Sequence, residues 1–107
     1  MHKIYRAGYL IKQPRITTTK EGIDIVRSRM LVVDHEETTA EIVNLTASGD
    51  VGESLYEYNI GKYLRVGGTG CSTAWWSRAH GDLITAVKLT VSEIEDREND
   101  IYLLSAT

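Results

Sequence analysis

Trp75 and Trp76 are the only two tryptophans in the chain, and they close a stretch, Lys62–Trp76, that begins as an alternating strand. Leu64 and Val66 alternate with Tyr63 and Arg65, which predicts a half-buried strand. Successive side chains on a strand face opposite ways. One indole is therefore expected to pack in a core or against a subunit, and we assign that role to Trp75. Trp76 is expected to face out, where its flat π-surface can stack on another ring. Between strand and indoles stand Gly67, Gly68 and Gly70. Val66-Gly67-Gly68-Thr69-Gly70 resembles a phosphate loop superficially but lacks the lysine and the following helix such a loop needs. The glycines read instead as a bulge, a sharp bend or a close backbone approach. A second pair, Arg27 and Arg29, shares one face of an expected strand, as a phosphate platform or as a solubilising surface.

No catalytic constellation accompanies these residues. There is no nucleophile elbow, no Gly-Lys-Ser/Thr loop and no Cys–His arrangement. Cys71 is the only cysteine, which fits a reducing compartment. His2, His35 and His80 are scattered singly, so neither a metal site nor a cofactor is expected. The acidic pairs Glu36-Glu37 and Glu95-Asp96 read as solvated faces. The chain is not expected to be an enzyme.

Charge is unevenly distributed. Residues 1–33 hold seven Lys and Arg against Glu21 and Asp24, a balance of +5, while the remainder holds five basic and thirteen acidic residues, a balance of −8. A positive face on a net negative molecule can still attract an anion, because the local field is what the ligand meets. Hydrophobic content of 42% over 107 residues suits one domain with a modest core. No apolar run reaches the ~20 residues of a membrane span, and no signal-peptide h-region opens the sequence.

The elements that must position these residues follow from pattern. His2–Ile11 reads as a strand bent at Gly8, interrupted at Lys12-Gln13-Pro14-Arg15 because proline donates no ladder hydrogen bond. Ile16–Lys20 and the Lys20-Glu21-Gly22 turn form a hairpin-like loop. Ile23–Val33 is a second strand, with Ser28, Met30 and Val32 on one face and Arg27, Arg29 and Leu31 on the other. Asp34–Thr38 is a polar turn. Thr39–Ser48 is a third strand, in which Val43, Leu45 and Ala47 oppose Ile42, Asn44, Thr46 and Ser48. Asp50-Val51-Gly52-Glu53 has the form of a capping box before a short helix, with Val51, Leu55 and Tyr58 on one face. After Lys62–Trp76 and a turn over Ser77–Asp82, Leu83–Val91 is a fifth strand, with Leu83, Thr85, Val87, Leu89 and Val91 on one face. An acidic and then apolar extension, about residues 95–107, follows the core of about 2–94. Three strands, a helix and two strands is the order of an all-β, five-stranded OB-fold Greek-key barrel.

The residues also resemble, over about 2–94, the bacterial single-stranded-DNA-binding protein family, including short relatives such as primosomal replication protein N. His2-Lys3-Ile4 to Gly8-Tyr9-Leu10 with Gln13-Pro14-Arg15 is similar to its opening strand and turn. Gly22 is similar to its Asn-Gly turn, and Gly49-Asp50-Val51 to Tyr56-Glu57-Tyr58 resembles its helix. Val66, Gly68 and Gly70 leading to Trp76 resemble its fourth strand, and Ala86-Val87-Lys88-Leu89 with Glu93-Ile94 its closing strand. The resemblance implies non-catalytic single-stranded DNA binding in replication, recombination or repair, in the cytoplasm or on the nucleoid, with organellar or viral settings also open. It implies Trp76 as the base-stacking residue. Arg15, Arg27, Arg29 and Arg78, with Lys12 and Lys88, are the candidates for phosphate contact. RNA shares every one of these features. The family assembles as dimers or tetramers, so a homo-oligomer and replication-protein partners are expected. The outward positions of strand three lack the family's aromatic and basic side chains, and the family's Asp-Ile-Pro-Phe tail is missing. The alternative is therefore an OB-fold accessory module of a replication assembly with weak or no DNA affinity.

Overall fold

The computed structural model describes residues 2–34, 39–79 and 81–96. Most of the expected turn at Asp34–Thr38, His80 and the end of the chain from residue 97 lie outside them. The elements are β1 (His2–Thr18), β2 (Asp24–Asp34), β3 (Thr39–Ser48), α1 (Gly49–Tyr56), β4 (Tyr63–Ser77) and β5 (Asp82–Asp96). The strands close in the order β1-β2-β3-β5-β4, every neighbouring pair antiparallel except β3 and β5. That is the OB-fold barrel expected from the sequence.

Closure depends on β1, which pairs first with β4, from His2 opposite Gly70 to Tyr9 opposite Tyr63, and then with β2 as far as Thr18 opposite Asp24. The expected interruption at Pro14 is a pair of irregularities inside one continuous strand. Ile11 is extra between the Leu10–Met30 and Lys12–Arg29 pairs, and a further residue is extra before Arg15–Arg27. A bulge needs no ladder bond from its extra residue, so proline is tolerated there, and the added bend turns β1 from one neighbour to the next. Pro14 is buried in the bend. Gln13 fastens it to the α1–β4 connection: its Nε2 donates to the Tyr58 carbonyl (3.3 Å) and to Asn59 Oδ1 (3.2 Å), and its Oε1 accepts from the Ile60 amide (3.2 Å).

The bulge expected among the β4 glycines falls on their partner. Gly67 pairs with Glu93 and Gly68 with Val91, leaving Ser92 of β5 as the extra residue. Gly68 serves close approach, since a Cβ there would overlap the Thr90 carbonyl oxygen. The core follows the predicted alternation on β2 and β3: Met30, Val43, Leu45 and Ala47 are buried with Leu10, Leu64, Val66, Val87, Leu89 and Val91. Thr85, expected on the same face as Val87, is exposed because β5 there has already left the barrel.

Leu55 of α1 is fully buried and closes one end of the barrel. A helix of 8 residues has no stability of its own in water, so this packing holds it. The expected capping box does not form. Ser48, not Asp50, is the N-cap residue, and no side chain bonds the first turn. Asp50 lies within that turn, where its charge favours the helix dipole. Tyr58 lies beyond the helix yet still packs on the core. Arg6 Nε and Glu41 Oε1, 2.7 Å apart, join β1 and β3, which are not neighbours in the sheet.

Candidate nucleic-acid interface

Strand register assembles a surface that sequence spacing alone does not show. Lys12 pairs with Arg29, Arg29 with Asn44, and Asn44 with Lys88, so these four residues form one row across β1, β2, β3 and β5. Arg15, Arg27, Thr46 and Thr90 form a second row. Strands lie about 4.8 Å apart, so each row spans about 14 Å. Lys12, Arg15, Arg27, Arg29 and Lys88 all line one groove of about 500 Å3, and no acidic residue lines it. Thus five of the seven residues expected to bind nucleic acid come together.

Arg29 is half-buried, and its Nε donates to Asn44 Oδ1 at 3.0 Å, leaving the Nη donors to point elsewhere. The other four cations are exposed. None of the five makes an ion pair with a described residue, whereas Lys3, Arg6, Lys62 and Arg65 elsewhere on the barrel pair with Glu93, Glu41, Asp96 and Glu95. Positive charge left uncompensated is therefore concentrated in the groove, where it favours an anion. Asn44 and Thr46, which offer neither ring nor charge, stand in the lining, and Asn44 orients Arg29. No aromatic side chain lines the groove.

The two remaining candidates stand apart. Beyond Gly70, β4 pairs only with β5, and beyond Ala86 toward its start β5 pairs only with β4. The result is a two-stranded arm, Cys71–Ser77 of β4 with Asp82–Thr85 at the start of β5, turned at Gly81, whose φ of 61° suits glycine. The arm is rooted beside the groove, because Cys71 pairs with Lys88. Trp76 lies five residues further on, roughly 17 Å along a strand, and Arg78 sits exposed in the turn.

Trp75 is not in the core. It is 49% exposed and Trp76 64%. Directly paired residues share a sheet face, so alternation outward from Cys71–Lys88 puts Trp75 on the groove side of the arm and Trp76 on the reverse. Sequence reasoning separated the two indoles correctly onto opposite faces but could not say which face continues the groove; only the β4–β5 register tells. Tyr5, Tyr9 and Tyr56 are also exposed, all away from the groove lining.

Glu93, next to the bulged Ser92 of β5, has its carboxyl held below the usual carboxylate range by a hydrogen bond from the Tyr5 hydroxyl and then by the Lys3 ammonium. The Tyr5 ring also receives the Arg65 guanidinium 4.8 Å from its centroid. This cluster belongs to the barrel wall. Among the described residues no three His, Cys, Asp or Glu side chains gather as a metal site requires, and no helix is long and apolar enough to cross a membrane.

No protein-family model matches the sequence, and no curated protein matches it. The fold does match solved structures. It is similar to a small single-stranded DNA-binding protein from Streptomyces coelicolor, with a TM-score of 0.71 and 15% sequence identity over 92% of this chain and 96% of that one. The two chains thus share one barrel fold across very different sequences.

Proposed function

We propose that this chain binds single-stranded DNA without catalysis. Lys12, Arg15, Arg27, Arg29 and Lys88 contact successive phosphates, and the arm supplies stacking through Trp76, with Arg78 near its tip. Trp75, on the groove side of the arm, is the second stacking residue. The observation that carries this reading is the pair of cross-strand rows that place five cations, and no carboxylate, in one groove. The shared fold with a single-stranded DNA-binding protein supports it. Phosphate contacts supply affinity without sequence, and stacking on indoles adds about 1–3 kcal/mol per base. A homo-oligomer, dimer or tetramer, fits so small a platform, because joined grooves bind a longer strand. Replication, recombination or repair, in the cytoplasm or on the nucleoid, are the settings where exposed single strands occur.

The aromatic-free groove favours a second reading, an accessory module of a replication assembly with weak DNA affinity. One experiment separates the two. Oligo-dT is titrated at low and moderate salt while tryptophan fluorescence is followed, in the native chain and in Trp75→Ala and Trp76→Ala. Quenching that weakens with salt and falls in either variant is the expected result. Unchanged emission and no binding at low salt would sink DNA binding, and a parallel oligo-U titration reads the preference between DNA and RNA.

A further inference from the structure

The β1–β2 hairpin has two faces, and only one belongs to the cationic groove. Arg15, Thr17 and Arg27 face the groove, while Ile16 and Val26, paired with each other one residue out of phase, face a second cleft of about 590 Å3 between the hairpin and α1. Val26 is buried in its floor. Ile16, Ile23 and Tyr56 stand around it, 48%, 55% and 49% exposed, three large apolar side chains at one depression. Asp24, Glu53 and Glu57 also line it, with Gly49 and Gly52, and no basic residue contributes. Glu53, Tyr56 and Glu57 share one helix face by their spacing. Glu53 and Glu57 are four apart, where like charges weaken a helix. Neither makes an ion pair with a described residue.

We propose that this cleft docks a basic, amphipathic segment of a partner protein, whose apolar side chains cover Ile16, Ile23 and Tyr56 while its lysines or arginines meet Asp24, Glu53 and Glu57. Charge selects the occupant. Three carboxylates around an apolar floor repel a polyanion. They also disfavour the chain's own last residues, where apolar Ile101–Leu104 follows Glu98 and Asp100 with only Arg97 to offset them. The arm of a second copy offers Trp75, Trp76 and Arg78, one cation against three carboxylates. The cleft and the groove lie on opposite faces of one hairpin, so a cationic segment and an anionic ligand can be held together.

The test titrates the full chain with a short synthetic amphipathic peptide of leucine and lysine, followed by amide NMR shifts and by anisotropy of a labelled peptide. The expected shifts are confined to Ile16, Ile23, Asp24 and the Gly52–Glu57 turn. Glu57→Lys weakens binding about tenfold, and Glu95→Lys, an equal change in net charge elsewhere, changes it less than about twofold. Tyr56→Ser weakens it without unfolding, since Tyr56 is half-exposed. Shifts scattered over the barrel, or equal losses in both lysine variants, overturn the proposal. So do cleft amides that move with protein concentration in the absence of peptide, which would assign the cleft to a second copy. Cleft amides that move in Ile101→Ser/Leu103→Ser would assign it to the chain's own end.

Discussion

Asn44 carries neither charge nor ring, yet its side-chain oxygen fixes the Nε edge of Arg29 in the middle of the cationic row. Holding a long side chain in place before binding avoids about 0.5–1.5 kcal/mol of ordering cost. Asn44→Ala is therefore expected to weaken oligo-dT binding roughly twofold to tenfold, with the salt dependence unchanged because no cation is lost. Arg29→Ala, by contrast, is expected to flatten the salt slope by about one phosphate; equal slopes in the two variants would contradict this division. The residues of the row were legible as types, since arginine and lysine at alternating positions mark a polar face. Asn44 was not, because its role depends on a neighbour fifteen positions away that only pairing brings beside it. Glu93 is a second case. Its carboxyl is held low by Tyr5 and Lys3, so the stability it lends is complete above the ordinary glutamate range and is lost as pH falls through its lowered pKa. Tyr5→Phe is expected to move that pKa up toward the ordinary value of about 4.3, read by NMR titration of the side-chain carboxyl.

At the scale of elements, alternation located the strands and their buried faces well, because burial on one side of a sheet enforces a period of two. Bulges escaped it. Pro14 looked like the end of a strand because a regular ladder excludes proline, whereas an extra residue in a bulge has no ladder bond to lose. The glycines of β4 signalled irregularity correctly, but the extra residue is Ser92 on the opposite strand. The capping box failed for a similar reason: the motif is local, while the start of α1 is set by where β3 ends at Ser48. Gly68→Ala tests the close approach directly. The added methyl must push against the Thr90 carbonyl, and either β4 or β5 must move. We expect a loss of about 1–3 kcal/mol, measured by denaturant unfolding, and faster amide exchange near Thr90 and Val91. A variant as stable as the native chain would show that the two strands yield easily.

For the whole molecule, the segregation of charge along the sequence foretold a positive face, though not its extent. Among the described residues, folding pairs four cations with carboxylates and leaves five others together in the groove. If all five engage phosphates, the logarithm of affinity for a single strand falls against the logarithm of salt with a slope of about −3.5 per groove, from about 0.7 for each contact. Titration of oligo-dT across a salt series measures it. A slope near zero would mean that the groove does not meet the backbone at all. The charge sum over the first 33 residues included Lys3 and Arg6, which face partners instead; sequence cannot tell a free cation from a paired one.

The split pairing of β1 has a consequence in time. When synthesis has passed Ser48, the chain can form only the β1–β2–β3 meander, whose outer edges are the first half of β1 and the whole of β3. Their partners, Tyr63–Gly70 of β4 and Ala86–Thr90 of β5, follow later in the chain, so both edges stay bare for on the order of seconds at about 5–20 residues per second. Bare edges invite pairing with other chains, and charged side chains are a common protection against it. Lys3 and Arg6 lie on one such edge and Glu41 on the other. The same charges that stitch the finished barrel thus guard the nascent one.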